Sequence, residues 1–255
     1  MDRILYTAGG GASQSMAQQA VNNHNLSNVS TPGFRGELMA MRAVPVEGEA
    51  RLPTRVASMM STPGSNFTSG NVSTTGRSLD VALQGDDNWL AVQSPDGGEA
   101  YTRRGDFQVD DTGLLMSLGN PVLSDNGQAI VVPLGGDVTI APDGTISVLE
   151  PGQNPDAVAP LARLKMVAPG NENLVRGEDG LFRMTPAEGE ELAAPVPADD
   201  TLRLVPGALE GSNVTATEAM ITMIDSSRRY DMHMKVIESA DQNAERANSL
   251  LSISG

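Results

Sequence analysis

The side chains that could support metal binding are two histidines and three pairs of adjacent aspartates. His24 and His233 lie far apart in the chain and lack the short spacing that zinc ligands share. The aspartates could ligate calcium, but none lies in a loop with acidic residues at its first, third, fifth and twelfth positions. Each pair is close to glycine or proline, which favours turns. The pairs are Asp86-Asp87, Asp110-Asp111 and Asp199-Asp200.

The sequence lacks the arrangements that nucleophilic and phosphoryl-transfer chemistry need. It has no cysteine, and no serine lies in the Gly-x-Ser-x-Gly pattern of a nucleophile elbow. The glycines at 9–11 lack the strand and the lysine of a phosphate-binding loop. A glycosidase-like pair of carboxylates stays an alternative, although 3% aromatic residues leave few rings to stack sugars. We therefore predict no catalytic, cofactor-binding or metal-binding residues, no cofactor and no enzymatic activity.

The net charge of the chain limits the classes of partner that it can bind. A formal net charge of −15 predicts no nucleic-acid partner, because phosphate binding needs clustered lysine and arginine. It also argues against docking on anionic lipid. We expect no membrane span, since no segment approaches about 18 apolar residues. The opening MDRILYTAGGGASQSM lacks the features of a cleaved signal peptide, so we expect a cytoplasmic chain or one exported by another route.

The first 29 residues are predicted to form a helix that is weak by itself. Small apolar residues recur every three or four positions and define a narrow stripe. The glycines at 9–11 each cost about 1 kcal/mol relative to alanine, so the helix needs a partner surface. Thr31-Pro32 should end it, and Pro32-Gly33 suits the centre of a type II turn. The stripe consists of Leu5, Ala8, Ala12, Met16 and Ala20.

A second, longer helix is predicted over residues 212–252. Thr215 to Glu218 fits a capping box at its start. About 39 helical residues span roughly 58 Å, so this helix needs a long partner. If the two helices form an antiparallel pair, each provides the partner surface that the other needs. The predicted seam follows a heptad spacing: Met220, Met223, Ser227, Tyr230, Met234, Ile237, Asp241, Ala244, Asn248 and Leu251.

Between the helices the sequence predicts an irregular linker and then a β domain. Short strand-like runs from residue 79 to about 205 alternate with Asp-Gly and Asn-Gly turn signals, as in antiparallel sheets. Within this region, Arg103 and Arg104 are predicted either to contact another subunit or to form a charge pair at a strand edge. The predicted fold is α+β, with paired long N- and C-terminal helices, coiled-coil-like, and an inserted antiparallel β domain. The predicted domains are 1–30 with 210–255, a linker over 31–78, and 79–209.

The stretch VNNHNLSNVSTPGFRGE concentrates asparagine at the end of the first helix. We interpret these amides as residues that fix alignment, either within the chain or between chains, because polar groups in a seam specify register. Asn25 and Asn28 are then expected near Asn213, at the base of the second helix. The alternative is an exposed polar face that ends in a helix C-cap at Asn28.

Several blocks resemble the axial proteins of the bacterial flagellum, which form its rod, hook and hook-associated parts. NNHNLSNVSTPGF is similar to their N-terminal signature, and GRSLDVALQGDDNWLAVQ, AYTRRGDFQVDDTGLL and NPVLSDNGQAIVVP are similar to their central region. The segment from LEGSNVTATEAM onward resembles their C-terminal helix. Within this family, the opening MDRILYTA and the short linker resemble the proximal-rod branch, with a distal-rod or hook-type subunit as the alternative.

The resemblance implies a structural subunit that polymerises through its terminal helices into the hollow rod of the basal body, in the periplasm. It implies copies of itself, other proximal and distal rod subunits and the flagellar type III export apparatus as partners. A secreted β-domain binding protein or hydrolase with a helical stalk is the alternative from another class. The predicted assembly interface comprises Asn22, Asn23, Asn25, Asn28, Pro32, Gly33, Phe34, Asn213, Met220, Met223, Tyr230, Met234, Ile237, Asp241, Asn248 and Leu251.

Overall fold

A computed structural model describes residues 2–45, 56–150, 152–153, 158–186 and 194–253. The chain divides into two compact units. The helical unit comprises Met1–Asn28, Glu37–Gly64 and Val214–Gly255. The β unit comprises Val29–Gly36 and Ser65–Asn213. Parts of the predicted linker, and the side chain of the predicted interface residue Leu251, lie outside the described residues.

The helical unit contains two long helices and a two-stranded sheet. Helix α1 is Asp2–Ser27 and helix α2 is Ala216–Ile253, and the two contact each other. Strands β1 (Glu37–Pro45) and β2 (Val56–Ser65) pair with each other and occupy part of the predicted linker. Both helices are found where the sequence predicts them.

The buried side chains of both helices, among those described, are small. Ser15 and Ser226 are buried, and each hydroxyl donates to the carbonyl four residues earlier, those of Gly11 and Thr222. These local bonds satisfy the hydroxyls without a partner on the other helix. The helices therefore bury little large apolar surface. Of the stripe predicted on α1, Ala8 and Ala12 are buried, whereas Leu5, Met16 and Ala20 are exposed. The other buried members are Ala8, Ala12, Ala219 and Ala240.

The β unit is built from fifteen short strands among its described residues. They are β3 (Val72–Thr74), β4 (Val81–Leu83), β5 (Trp89–Gln93), β6 (Glu99–Thr102), β7 (Gln108–Val109), β8 (Leu115–Ser117), β9 (Asn120–Pro121), β10 (Asp137–Ile140), β11 (Thr145–Leu149), β12 (Ala159–Arg163), β13 (Met166–Val167), β14 (Leu174–Arg176), β15 (Phe182–Met184), β16 (Leu204–Pro206) and β17 (Ala208–Glu210).

Every described strand pairing in this unit is antiparallel. The largest sheet has the order β13-β5-β6-β15-β14, and two three-stranded sheets have the orders β7-β8-β9 and β10-β11-β12. Two further pairs are β16-β4 and β17-β3. The α+β class and the antiparallel β region are thus confirmed.

Strand β5 lies between two apolar clusters and explains how the core is divided. Leu90 and Val92 join the larger cluster, whereas Trp89 and Ala91 join the smaller one. Successive side chains of a strand point to opposite faces, so a strand with apolar residues at every position is buried on both. In the smaller cluster the Trp89 ring packs on Phe182, with 4.7 Å between centroids.

Candidate functional site

Asn25, in the last turn of α1, is hydrogen-bonded to the first residue of β1. Its Nδ2 donates to the carbonyl of Glu37 at 3.0 Å, and its Oδ1 accepts the N–H of Glu37 at 2.8 Å. His24 Nδ1 lies 3.2 Å from Glu37 Oε1. The amide of Asn25 therefore fixes the backbone of Glu37 against α1. This contact corresponds to the within-chain alternative for the asparagines.

The other asparagines of α1 have different surroundings. Asn28 closes the helix end, because its N–H donates to the carbonyl of Asn25 at 3.1 Å and its Nδ2 to that of His24 at 2.9 Å. This arrangement corresponds to the C-cap alternative. Asn23 is exposed, while Nδ2 of Asn22 is buried without a hydrogen-bond partner among the described residues.

Asn213, the last residue of the β unit, binds two segments of that unit. Its Oδ1 accepts the N–H of Gly36 at 2.8 Å, and its Nδ2 donates to the carbonyls of Asn66 at 2.7 Å and Thr68 at 2.9 Å. Its own N–H donates to the carbonyl of Phe34 at 3.2 Å. One asparagine thus joins residues that are distant in sequence.

The predicted turn at Pro32-Gly33 is present. Phe34 N–H donates to the carbonyl of Thr31 at 3.3 Å, and Gly33 has a φ of 66°, as the third position of a type II turn requires. A β-carbon on Gly33 would lie 2.5 Å from the carbonyl carbon of Arg103. Glycine is therefore required here both by the positive φ and by the close approach of Arg103. The buried ring of Phe34 stacks against Arg176, whose guanidinium carbon lies 4.5 Å from the ring centroid.

Directly after this turn, Arg35 enters a buried ionic cluster with Glu210 and Arg103. Arg35 Nη1 lies 2.7 Å from Glu210 Oε1, and Arg103 Nη2 lies 2.7 Å from Glu210 Oε2. Arg103 Nε also donates to Oε2 at 2.8 Å, and Gly70 N–H donates to Oε1 at 2.8 Å. All three charged side chains are fully buried. Glu210 therefore holds three segments of the β unit together.

Two arginines share this one carboxylate, and the pKa of Arg35 shows the effect. Burial lowers the pKa of Arg35, and the neighbouring charge of Arg103 lowers that pKa further, against the opposing effect of Glu210. Arg103 also donates to four backbone carbonyls, of which those of Gly85 at 2.8 Å and Asn88 at 2.6 Å are the nearest. The carboxylate of Glu210 is thus the anionic partner that both buried cations share.

The two predictions for the Arg103-Arg104 pair have different outcomes. Arg104 forms a charge pair with Asp106, whose Oδ2 is 2.7 Å from Nη2, as the strand-edge alternative predicts. Arg103 fits neither alternative, because it is fully buried against Glu210. Sequence reasoning missed this cluster, since the residues from Arg103 to Glu210 are 107 positions apart and follow no motif.

On α2, the least exposed row of residues shares four of its nine positions with the predicted seam. Both rows contain Met223, Tyr230, Ile237 and Ala244, which are half-buried. At the alternate positions the less exposed residue lies one place earlier than the seam predicts, at Ala219, Ser226, His233, Ala240 and Ala247. The corresponding seam residues are exposed: Met220, Ser227, Met234, Asp241 and Asn248. Their role between chains stays a prediction.

Both helices also expose large apolar side chains. Ile221 follows Ala219 by two residues and therefore lies about 200° around the helix from it. Its side chain is 60% exposed. Such surface is costly in water unless another surface covers it. The other exposed members are Ile4, Leu5, Tyr6, Met16, Met220, Ile224, Met232, Met234 and Val236.

The histidines and aspartate pairs do not come together. His24 lies beside Glu37, and His233 lies beside Gly11. The Thr112 hydroxyl holds the pKa of Asp110 below its usual range, and the Thr201 hydroxyl does the same for Asp199, as expected of turns. Within the described ranges no group of three or more potential ligands could hold a metal ion. Nor does any described helix have the length and apolarity to cross a membrane.

Two terminal helices that contact each other, with an antiparallel β unit built mainly from the sequence between them, define the architecture expected of a flagellar axial subunit. The comparisons agree with this class. A family model described as flagellar basal body rod FlgEFG protein C-terminal matches residues 205–250. Another, described as flagellar hook protein FlgE/F/G D1 domain, matches residues 82–148.

The similarity to individual proteins extends over the whole chain. Flagellar basal-body rod protein FlgF of Escherichia coli strain K12 is 55% identical, with 100% of both chains covered. Its counterpart in Salmonella typhimurium strain LT2 is 53% identical over the same coverage. Flagellar basal-body rod protein FlgG of Buchnera aphidicola from Acyrthosiphon pisum is 32% identical, covering 89% of this chain and 92% of that protein. The chain belongs to the flagellar basal-body rod protein family.

Proposed function

We propose that this chain is a structural subunit of the proximal part of the bacterial flagellar basal-body rod. It polymerises through its terminal helices into a hollow shaft in the periplasm. Its partners are copies of itself and other proximal and distal rod subunits, and it is exported from the cytoplasm by the flagellar type III export apparatus. The proximal position rests on the opening MDRILYTA and the short linker.

The observation that carries the proposal is the distribution of apolar side chains on the two helices. Their buried residues are alanine and serine among those described, whereas many of their large apolar side chains are exposed. Burial of a large aliphatic side chain contributes about 1.5–3 kcal/mol, so this surface favours association with further helices. Within one chain, α1 and α2 would form an antiparallel, coiled-coil-like pair. In the rod, the exposed faces would pack against neighbouring subunits.

The predicted interface residues fit this proposal in two groups. Met220, Met234, Asp241 and Asn248 are exposed on α2 and are available to other chains. By contrast, Asn25, Asn213 and Phe34 already have contacts within the chain, so they would act by fixing the backbone of their own unit. The first group would contact neighbouring subunits directly, and the second group would position the backbone of its own chain.

The test is incorporation into purified basal bodies. Replacing Ile221 and Ile224 by lysine together puts two charges on the exposed face of α2. We expect this variant to be absent from basal bodies and the cells to lose swimming motility. Val175→Lys is the matched control, because Val175 is 59% exposed but lies on β14 of the β unit. Incorporation of the double variant at the wild-type level, or absence of the unaltered chain from basal bodies, would refute the proposal.

A further inference from the structure

The two long helices differ in length, and one contact between them fixes how they are aligned. Helix α1 has 26 residues and α2 has 38. Gly11 of α1 lies beside His233 of α2. In a parallel pair, this contact would put Ser27 level with Ser249, about 50 Å from the start of α2.

The connection between the helices is too short for a parallel pair. The carbonyl of Phe34 accepts the N–H of Asn213 at 3.2 Å. Seven residues lead from Ser27 to Phe34, and three lead from Asn213 to Ala216. Ten extended residues and one hydrogen bond span about 40 Å at most. In an antiparallel pair Ser27 is level with the first turn of α2, which this connection allows.

In the antiparallel arrangement α2 extends past the start of α1. Asp2 precedes Gly11 by nine residues and is therefore level with about residue 242 of α2. Residues 243–253, which we call the overhang, reach about 16 Å farther. The least exposed row of α2 continues into the overhang at Ala244 and Ala247. The overhang therefore prolongs the surface on which α1 packs, at a level that α1 of the same chain does not reach.

Helix α1 has a second uncharged face. Its exposed residues recur every three or four positions, on the side away from the buried Ala8 and Ala12. Between Ile4 and Ser27 the sequence has no aspartate, glutamate, lysine or arginine, whereas that of α2 has ten such residues. A helix face that meets only water normally carries charges. The exposed row, which we call the outward face, consists of Tyr6, Gly10, Ser13, Met16, Ala20, Asn23 and Ser27.

Gly10 of the outward face gives the lone chain no packing advantage among the described residues. A β-carbon there would meet nothing within 4 Å. Glycine nevertheless destabilises a helix relative to alanine. The adjacent Gly11 shows what a glycine in this helix can do, because it makes room for His233 of α2. Gly10 would make room in the same way for a second helix on the other side of α1.

We propose that the overhang of one copy packs on the outward face of α1 in a second copy. The row that packs on α1 within the chain continues along the overhang, so an α1 helix is the surface that the overhang fits. The outward face from Gly10 to Ala20 extends over about 15 Å, close to the length of the overhang. The contact joins two different surfaces and therefore generates an open series of subunits, which suits a rod. The inference rests on the proposed function, because it names a contact within the assembly.

Cysteine cross-linking in purified basal bodies tests the contact directly. The chain has no cysteine of its own, so introduced thiols report only on their own positions. Ala247→Cys and Ser13→Cys are produced together in one cell as two separately tagged chains, and the basal bodies are oxidised. We expect a disulfide-linked dimer that carries both tags.

The matched control is Ser249→Cys produced with Ser13→Cys. Ser249 follows Ala247 by two residues and therefore lies about 200° around the helix from it. This pair should give no dimer that carries both tags. A yield equal to that of the pair at 247 and 13 would refute the proposed orientation of the overhang.

Two glycine variants separate the contact from the stability of the chain. A β-carbon on either Gly9 or Gly10 would meet nothing within 4 Å. Leucine at either position should therefore raise the thermal unfolding midpoint of the purified chain, because it replaces a glycine in a helix. Only Gly10→Leu should lower incorporation into basal bodies, roughly tenfold or more, since its side chain overfills the contact. Equal incorporation of the two variants would argue against the contact.

The outcomes distinguish this inference from the function on which it rests. If the unaltered chain is absent from basal bodies, the proposed function fails. If both tagged chains are incorporated but no dimer carries both tags, only the contact between copies is refuted.

Discussion

One carboxylate, that of Glu210, compensates two buried guanidinium groups from distant parts of the sequence. Moving a charge out of water costs several kcal/mol, and a buried pair recovers this cost only when its partner is retained. The amide of glutamine has the shape of the carboxylate but no charge. The substitution Glu210→Gln therefore isolates the electrostatic part of the cluster.

We expect Glu210→Gln to lower the free energy of unfolding of the β unit by about 3–5 kcal/mol. Urea titration followed by the fluorescence of Trp89 measures it, because this buried residue is the only tryptophan. Asp200→Asn is the control. Asp200 Oδ1 lies 2.5 Å from Arg163 Nη1 but its side chain is 78% exposed, so its loss should cost less than about 1 kcal/mol. Equal midpoints for the two variants would contradict the expectation.

Asp179 makes the stability of the β14–β15 hairpin depend on pH. Arg183 donates to both of its carboxylate oxygens, and this hydrogen bonding holds the pKa of Asp179 below its usual range. A carboxyl with a depressed pKa stabilises the fold fully above its unfolded pKa of about 3.9. That contribution is lost as pH falls through the folded pKa.

Asp179→Asn should therefore destabilise the β unit at pH 7 and have much less effect at acid pH. Urea unfolding of the variant and the unaltered chain at pH 7 and below about pH 3 measures the difference. The adjacent exposed Glu178 provides a control, since Glu178→Gln removes a carboxylate without touching the Arg183 pair. A stability difference that stays constant across this pH range would be inconsistent with the role of Asp179.

At the scale of the element, the glycines of α1 differ from one another. A β-carbon on Gly10 would meet nothing within 4 Å, whereas one on Gly11 would collide with Cε1 of His233. Gly10 thus carries only the entropic cost of glycine in a helix. Gly11, in contrast, makes room for the imidazole of α2.

Different results are expected for alanine at these two positions. Gly10→Ala should stabilise the helical unit by about 1 kcal/mol, and Gly11→Ala should be less stable than Gly10→Ala, because the His233 ring must move. Circular dichroism at 222 nm during thermal unfolding compares them. The double variant Gly11→Ala, His233→Ala should recover the helical signal. If Gly11→Ala alone is as stable as Gly10→Ala, the close approach of the helices is not the reason for this glycine.

The helices and one turn can be predicted from the sequence, because their signals are local. Thr215 and Glu218 predict the start of α2, which begins at Ala216, and Pro32-Gly33 predicts the turn that forms there.

The least exposed row of α2 is harder to predict. A seam drawn through the bulkier apolar residues passes through Met220 and Met234, whereas the structure buries Ala219 and Ala240. The facing helix α1 buries Ala8 and Ala12 and makes room for His233 at Gly11. Such small residues permit close approach of the two helices, and this approach favours small residues on α2 as well. The size of the α1 side chains therefore determines which row of α2 is buried. The sequence of α2 by itself does not contain that information.

The ionic cluster and the contacts of Asn213 cannot be predicted in the same way. Neither follows a period or a motif, and each joins segments that approach only after the β unit has folded. Arg35 and Phe34 look like residues of a linker, yet both are buried in the β unit. Such long-range partners can be predicted only when the topology of the β unit is known. A single sequence carries no signal for them.

For the whole molecule, these contacts decide which fragment of the chain can fold. A fragment of residues 29–213 keeps every residue of the β unit, including Arg35, Glu210 and Asn213. A shorter fragment, of residues 36–208, removes Phe34 and Arg35 from one end. At the other end it removes Glu210 and so leaves Arg103 buried without its carboxylate.

We expect fragment 29–213 to unfold cooperatively in urea with native-like Trp89 fluorescence, and fragment 36–208 to be unfolded or much less stable. The loss of a buried ionic partner alone costs about 3–5 kcal/mol, a large part of the stability of a typical domain. A fragment of residues 29–213 that carries Glu210→Gln separates this charge effect from the loss of chain. If fragment 36–208 proves as stable as 29–213, the segment after α1 is not an integral part of the β unit.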